Sequence, residues 1–148
     1  MHTDKTPSNK IYFHILISIS FAISLVFFRM KITHSEFYIF LIWNLFLAGI
    51  PYLISQTMKN YIRLRSSKIA SLLCFSTWLL FLPNSPYIIT DIIHLQNSNS
   101  ILAWYDLFLV FVFAINGLVL GLLSMLDMHQ IISARYSNKI ALFSMMKI

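Results

Sequence analysis

At 148 residues, 58% of them hydrophobic and only 11% charged, the chain is too apolar to be solvated as an ordinary globular domain and reads as a bilayer protein. A formal net charge of +6 raises nucleic acid as a partner, but the Lys and Arg residues stand between long apolar runs, not on an aromatic-laced basic surface, which excludes it. The single cysteine, Cys74, lies inside an apolar run and rules out an intramolecular disulfide.

The polar segment 1–10 precedes a first apolar run, Ile11 to Phe28, which gives about 27 Å of helix against a hydrocarbon core of about 30 Å. No small-residue cleavage site comes after it, so it reads as a retained transmembrane helix and not a signal peptide. A second run, Phe37 to Ile54, contains Asn44, an expected interhelical hydrogen-bond partner, and Pro51, expected to kink its last turn. Ser55 to Lys68 carries Lys59, Arg63, Arg65 and Lys68 with no acid, the mark of a cytoplasmic loop; attraction of anionic lipid is a further reading that topology alone does not require. The third run, Ile69 to Leu82, gives only about 21 Å of helix, so its span is expected to start near 67 or to be completed by the residues from Pro83 onward. Ile101 to Leu126 is the fourth and longest span, and 127–148 reads as a cytoplasmic tail. With both termini inside, the cations concentrate on the cytoplasmic side and leave Arg29 and Lys31 as loop cations outside. The expected fold is all-α: an integral membrane bundle of about four transmembrane helices, spans near 11–28, 37–54, 67–82 and 101–126, plus a short re-entrant or interfacial amphipathic helix at 86–95.

That short helix is the element that gathers ionisable side chains. Ser85 and Pro86 read as an N-cap and first helical residue. At 100° per residue Tyr87, Thr90, Asp91 and His94 then share one arc, while Ile88, Ile89, Ile92, Ile93 and Leu95 cover the other. The isoleucine side is expected to face lipid and the polar stripe to face the other spans, near the outer membrane surface. Trp104, Tyr105 and Asp106 add an aromatic belt with an acid, and Gly117 and Gly121 form a small-xxx-small pair for close helix packing.

The run Trp78 to Leu95, with Pro83-Asn84-Ser85-Pro86-Tyr87 and Thr90-Asp91-x-x-His94 inside it, then Trp104-Tyr105-Asp106 and Gly117-x-x-x-Gly121-x-x-Ser124, resembles the signature of a bacterial multi-pass membrane family of unknown function, DUF1361. The resemblance covers about Asn44 to Ser124, with Ser85 where the family usually has alanine. It implies a location in the bacterial cytoplasmic membrane and no particular activity. The family's pattern continues with a further span and a second polar signature, and the chain is expected to lack that C-terminal part.

Asp91 and His94, at i and i+3, are the candidates for metal ligation or acid/base catalysis, with Asp106 or His34 completing the set. The blander reading has Asp91 and His94 bonded to each other, to Thr90 and to loop backbone. Haem between His34 and His94, or His14 and His129, is disfavoured because all four sit at span edges, and no cofactor is implied. The expected partner is the lipid bilayer. Gly117 and Gly121 serve either intramolecular packing, the simpler use, or a homo-oligomer or membrane-protein seam. The sequence favours a non-enzymatic or accessory membrane module with an outer-side polar site over its alternative, a membrane-embedded enzyme acting on a lipid-linked or envelope substrate. A conducting transporter is disfavoured by the absence of a repeat.

Overall fold

A computed structural model describes residues 6–33, 38–91 and 103–145. Among the described residues every element is helical: α1 Thr6–Thr33, α2 Ile39–Asn60, α3 Ile62–Ser66, α4 Lys68–Phe81, α5 Asn84–Tyr87, a 3-10 turn Ile88–Asp91, and α6 Ala103–Met145. Four stretches are long and apolar enough to cross a membrane: Lys10–Ile32, Ile39–Asn60, Lys68–Thr90 and Ala103–Ala134. The protein is an all-α membrane protein.

The bundle is organised around α6. A stripe recurring every three or four residues, Asp106, Leu109, Val110, Phe113, Ala114, Gly117, Leu120, Gly121, Ser124, Asp127, Met128 and Ile131, is buried along it. Half of its most apolar window is buried, against 11% for α1, so α6 is central and α1 peripheral. The main partner of α6 is α2, whose buried stripe runs Leu41, Leu45, Ala48, Tyr52, Ser55 and Met58. α4 leans on α2, while α1 packs against α6 through Ala22 and Val26 and turns Phe13, Leu16, Ile17, Phe21 and Phe27 outward. So many exposed large apolar side chains fit a surface solvated by lipid tails, where burying them gains nothing. Toward the far end Met58, Trp78, Met128 and Ile131 form a second cluster, and the Trp78 indole Nε1 donates to the buried Ser124 hydroxyl.

Several expected boundaries move. α1 begins at Thr6, with Pro7 in a first turn where a missing amide costs nothing. α2 continues past Pro51 to Asn60, so the proline lies well inside the helix and not in its last turn. α6 does not stop at 126: its 43 residues make about 65 Å of helix, more than the roughly 45 Å of a bilayer with its headgroups, and its packed part reaches at least Ile131. Ser67 caps α4 by accepting from the Ala70 amide at 3.4 Å.

Candidate functional site

α4 ends where Pro83 has no amide to offer Leu79. The chain tightens: the Ser85 amide donates to the Leu82 carbonyl at 3.1 Å, and the Phe81 carbonyl takes the Asn84 side-chain amide at 3.0 Å. α5 therefore starts at Asn84 with Pro83 in the cap position and no side-chain cap, and the expected Ser85 cap is replaced by another contact. The Ser85 hydroxyl, buried, donates to the Ala48 carbonyl of α2 at 3.4 Å, while the Ser85 main chain and Cβ press on α6.

Gly117 and Gly121 make that seat. A Cβ on Gly121 would stand 2.7 Å from the Ser85 Cβ, and one on Gly117 would stand 2.9 Å from the Ser85 carbonyl oxygen and 2.7 Å from the Ile88 Cδ1. Both glycines are buried by this contact within the chain. The Pro83–Tyr87 break thus docks onto the middle of α6. Gly121 lies fifteen residues, about 22 Å of helix, from Asp106, so the break lies inside the span, and the residues from Pro83 to Thr90 complete the third crossing, one of the two expected ways of lengthening it.

The orientation of the next turn also differs from the amphipathic-helix reading. Ile88 is fully buried, whereas Tyr87 is 56% exposed and Thr90 is exposed with its hydroxyl donating to the Tyr87 carbonyl at 2.6 Å. Tyr87 and Thr90 still share one side and Ile88 the other; what is reversed is which side turns inward, because the close approach of the break to Gly117 takes Ile88 as the inward side chain. Asp91 ends the 3-10 turn, and the second half of the expected 86–95 helix, His94 included, lies outside the described residues, as does His34. Pro83 and Pro86 are exposed at the break, Trp104 is 83% exposed at the start of α6, and His14 and His129 are both exposed. Among the described residues no group of three His, Cys, Asp or Glu side chains is placed to hold a metal ion.

Asp106 is elsewhere engaged. It is fully buried, and both its carboxylate oxygens accept from the Arg29 guanidinium, Oδ1 from Nε and Oδ2 from Nη2 at 2.8 Å. Arg29, read from sequence as a loop cation outside the membrane, is therefore an internal residue of α1 on the same stripe as Ala22 and Val26. Tyr38, at the N-cap of α2, lays its ring against the Arg29 guanidinium, 5.2 Å from centroid to Cζ. The Tyr105 hydroxyl donates to the Leu25 carbonyl at 2.8 Å, so α1, α2 and α6 meet in one polar knot.

A second knot ties the same three helices at the other end. The Tyr12 hydroxyl donates to Gln56 Oε1, Gln56 Nε2 donates to Asp127 Oδ2, and Lys59 Nζ donates to Asp127 Oδ1 at 2.8 Å. Asp106 and Asp127 stand twenty-one residues apart on one helix, about 32 Å, which matches a hydrocarbon core of about 30 Å. The spacing fits ion pairs placed at the two edges of such a layer, where charge costs least to bury.

A family model described as "Protein of unknown function (DUF1361)" matches residues 43–148. The chain belongs to the DUF1361 family. Comparison with curated proteins and with solved structures gives no match. In this DUF1361 chain the matched region contains the Ser85 seat, Asp106 and Asp127, while Arg29 and Tyr38, which complete the first knot, precede it.

Proposed function

We propose that the chain is a non-enzymatic membrane module of the bacterial cytoplasmic membrane, with both termini cytoplasmic and its Arg29–Asp106–Tyr38 knot toward the outer side. The observation that carries this reading is how the polar side chains are used. Asp106 gives both oxygens to Arg29, and Asn84, Ser85 and Thr90 each donate to a backbone carbonyl. A general base or metal ligand needs a lone pair directed at its reactant; Asp106 directs its carboxylate at Arg29, while Asn84, Ser85 and Thr90 use their N–H and O–H protons to hold backbone carbonyls of α4, α2 and α5. The orientation rests on charge: with Arg29 neutralised inside the bundle, Lys31, in the last turn of α1, is left as the outer-side cation against nine Lys and Arg residues on the cytoplasmic side.

Two measurements test the proposal. In a bacterium with a growth defect complemented by the chain, Asp91→Asn and His94→Ala are expected to lose complementation only in proportion to their loss of membrane abundance. Full abundance with lost complementation would instead assign chemistry to those two residues. For the orientation, an Asn97→Cys variant in a Cys74→Ser background is expected to react with an impermeant maleimide on intact cells; reaction only after permeabilisation would invert the topology.

A further inference from the structure

The connection between the second and third spans carries two exposed cations, Arg63 and Lys68, that meet no carboxylate among the described residues. We propose that this connection, Tyr61 to Ile69, is a binding site for the phosphate headgroup of an anionic glycerophospholipid, held by Arg63 and Lys68. Three observations lead there. First, segment 55–68 holds four cations and no acid. Asp127 takes Lys59, whereas Arg63 and Lys68 are exposed and, among the described residues, meet no carboxylate. Second, large apolar side chains stand beside them, Tyr61 63%, Ile62 75% and Ile69 74% exposed, a mixture of cations and apolar anchors that suits neither bulk water nor hydrocarbon but does suit the boundary between them.

The third observation is depth. Trp78 touches Ser124, and Lys68 lies ten residues earlier on the same helix, about 15 Å farther toward the end where α2 closes. Asp127 is three residues beyond Ser124 in that direction, about 5 Å. Lys68 is therefore about 10 Å outside the level of the Lys59–Asp127 pair, in the layer where lipid phosphates stand if that pair marks the hydrocarbon edge. An arginine offers a phosphate a planar two-pronged donor and a lysine a compact charge, and Tyr61 and Ile62 set the adjoining glycerol and upper chain against an apolar surface.

The test uses the full-length chain, purified and mixed with phosphatidylglycerol and phosphatidylcholine in detergent, with bound lipids counted by native mass spectrometry. The native chain is expected to retain phosphatidylglycerol in preference to phosphatidylcholine. Arg63→Gln and Lys68→Gln are expected to reduce that preference by roughly fivefold per cation removed, in line with the worth of one basic residue at an anionic surface. Lys31→Gln, at the opposite end, leaves it unchanged, and the charge-keeping pair Arg63→Lys with Lys68→Arg retains most of it. Equal retention of the two lipids by the native chain overturns the proposal without reference to any variant. So does an undiminished preference in the doubly neutralised chain, and so does displacement of phosphatidylglycerol by inorganic phosphate alone, which would show a free-anion site with no lipid specificity.

Discussion

Asp106→Ala is expected to destabilise the folded chain by about 3–5 kcal/mol, the usual cost of removing one partner from a buried ion pair. The size reflects the charge left behind. With Asp106 gone, the Arg29 guanidinium keeps its charge inside α1, almost wholly shielded, and loses both oxygens that satisfied Nε and Nη2. The same change at Asp127 should cost less, about 1–2 kcal/mol, because the Lys59 side chain is 45% exposed and can turn to water, leaving mainly the loss of the Gln56 amide's acceptor. Thermal unfolding in detergent, followed by circular dichroism, checks both; similar losses at the two ends would mean that burial does not set the energetics. The pairs differ both in shielding and in geometry, since Arg29 holds both Asp106 oxygens whereas Lys59 holds one of Asp127 and Gln56 the other, and both differences act in the same direction.

Gly121→Ala is expected to destabilise the folded chain by about 1–3 kcal/mol, although alanine is the better helix former. The added methyl would meet the Ser85 Cβ at 2.7 Å and the Ser85 Oγ at 2.9 Å, and a Cβ cannot swing aside without moving the backbone of the break. The same contact supplies the rescue. Ser85→Gly removes both obstructing atoms, so the double variant should recover roughly half or more of the loss, a coupling expected only for residues in direct contact. Additive losses would place Ser85 away from Gly121. Gly117→Ala offers no such rescue, since its methyl would meet the Ser85 carbonyl oxygen, which every residue at 85 carries.

The sequence makes the apolar runs plain, and with them the all-α membrane class, because the need to satisfy backbone groups within each segment leaves little else for long apolar runs of this length. It also holds more of the packing than run lengths suggest. Asp106, the two glycines, Ser124 and Asp127 recur at helical spacing on one stripe of α6, and Ala22, Val26 and Arg29 do so on α1, so the inward faces can be read from small and polar residues. What the stripe does not contain is the partner. Arg29 and Asp106 are 77 positions apart, and a cation at the end of an apolar run looks the same whether it marks a loop or turns inward. The shortness of the third run does point to the residues from Pro83 onward as its completion, and the turn and the 3-10 segment continue that crossing to Thr90. The wheel separates Tyr87 and Thr90 from Ile88 correctly but does not say which side meets the bundle, and the glycine seat on α6 is what turns Ile88 inward.

That a shielded charge pair holds α1 to α6 is tested most directly by a double-mutant cycle on unfolding in detergent with Arg29→Met, Asp106→Leu and both together. Each single change strands a buried charge, so each should cost several kcal/mol, on the order of 3–5, while the double change, which removes both charges and keeps the volume, should cost less than either alone. A double variant whose loss equals the sum of the two single losses would show that Arg29 and Asp106 do not meet.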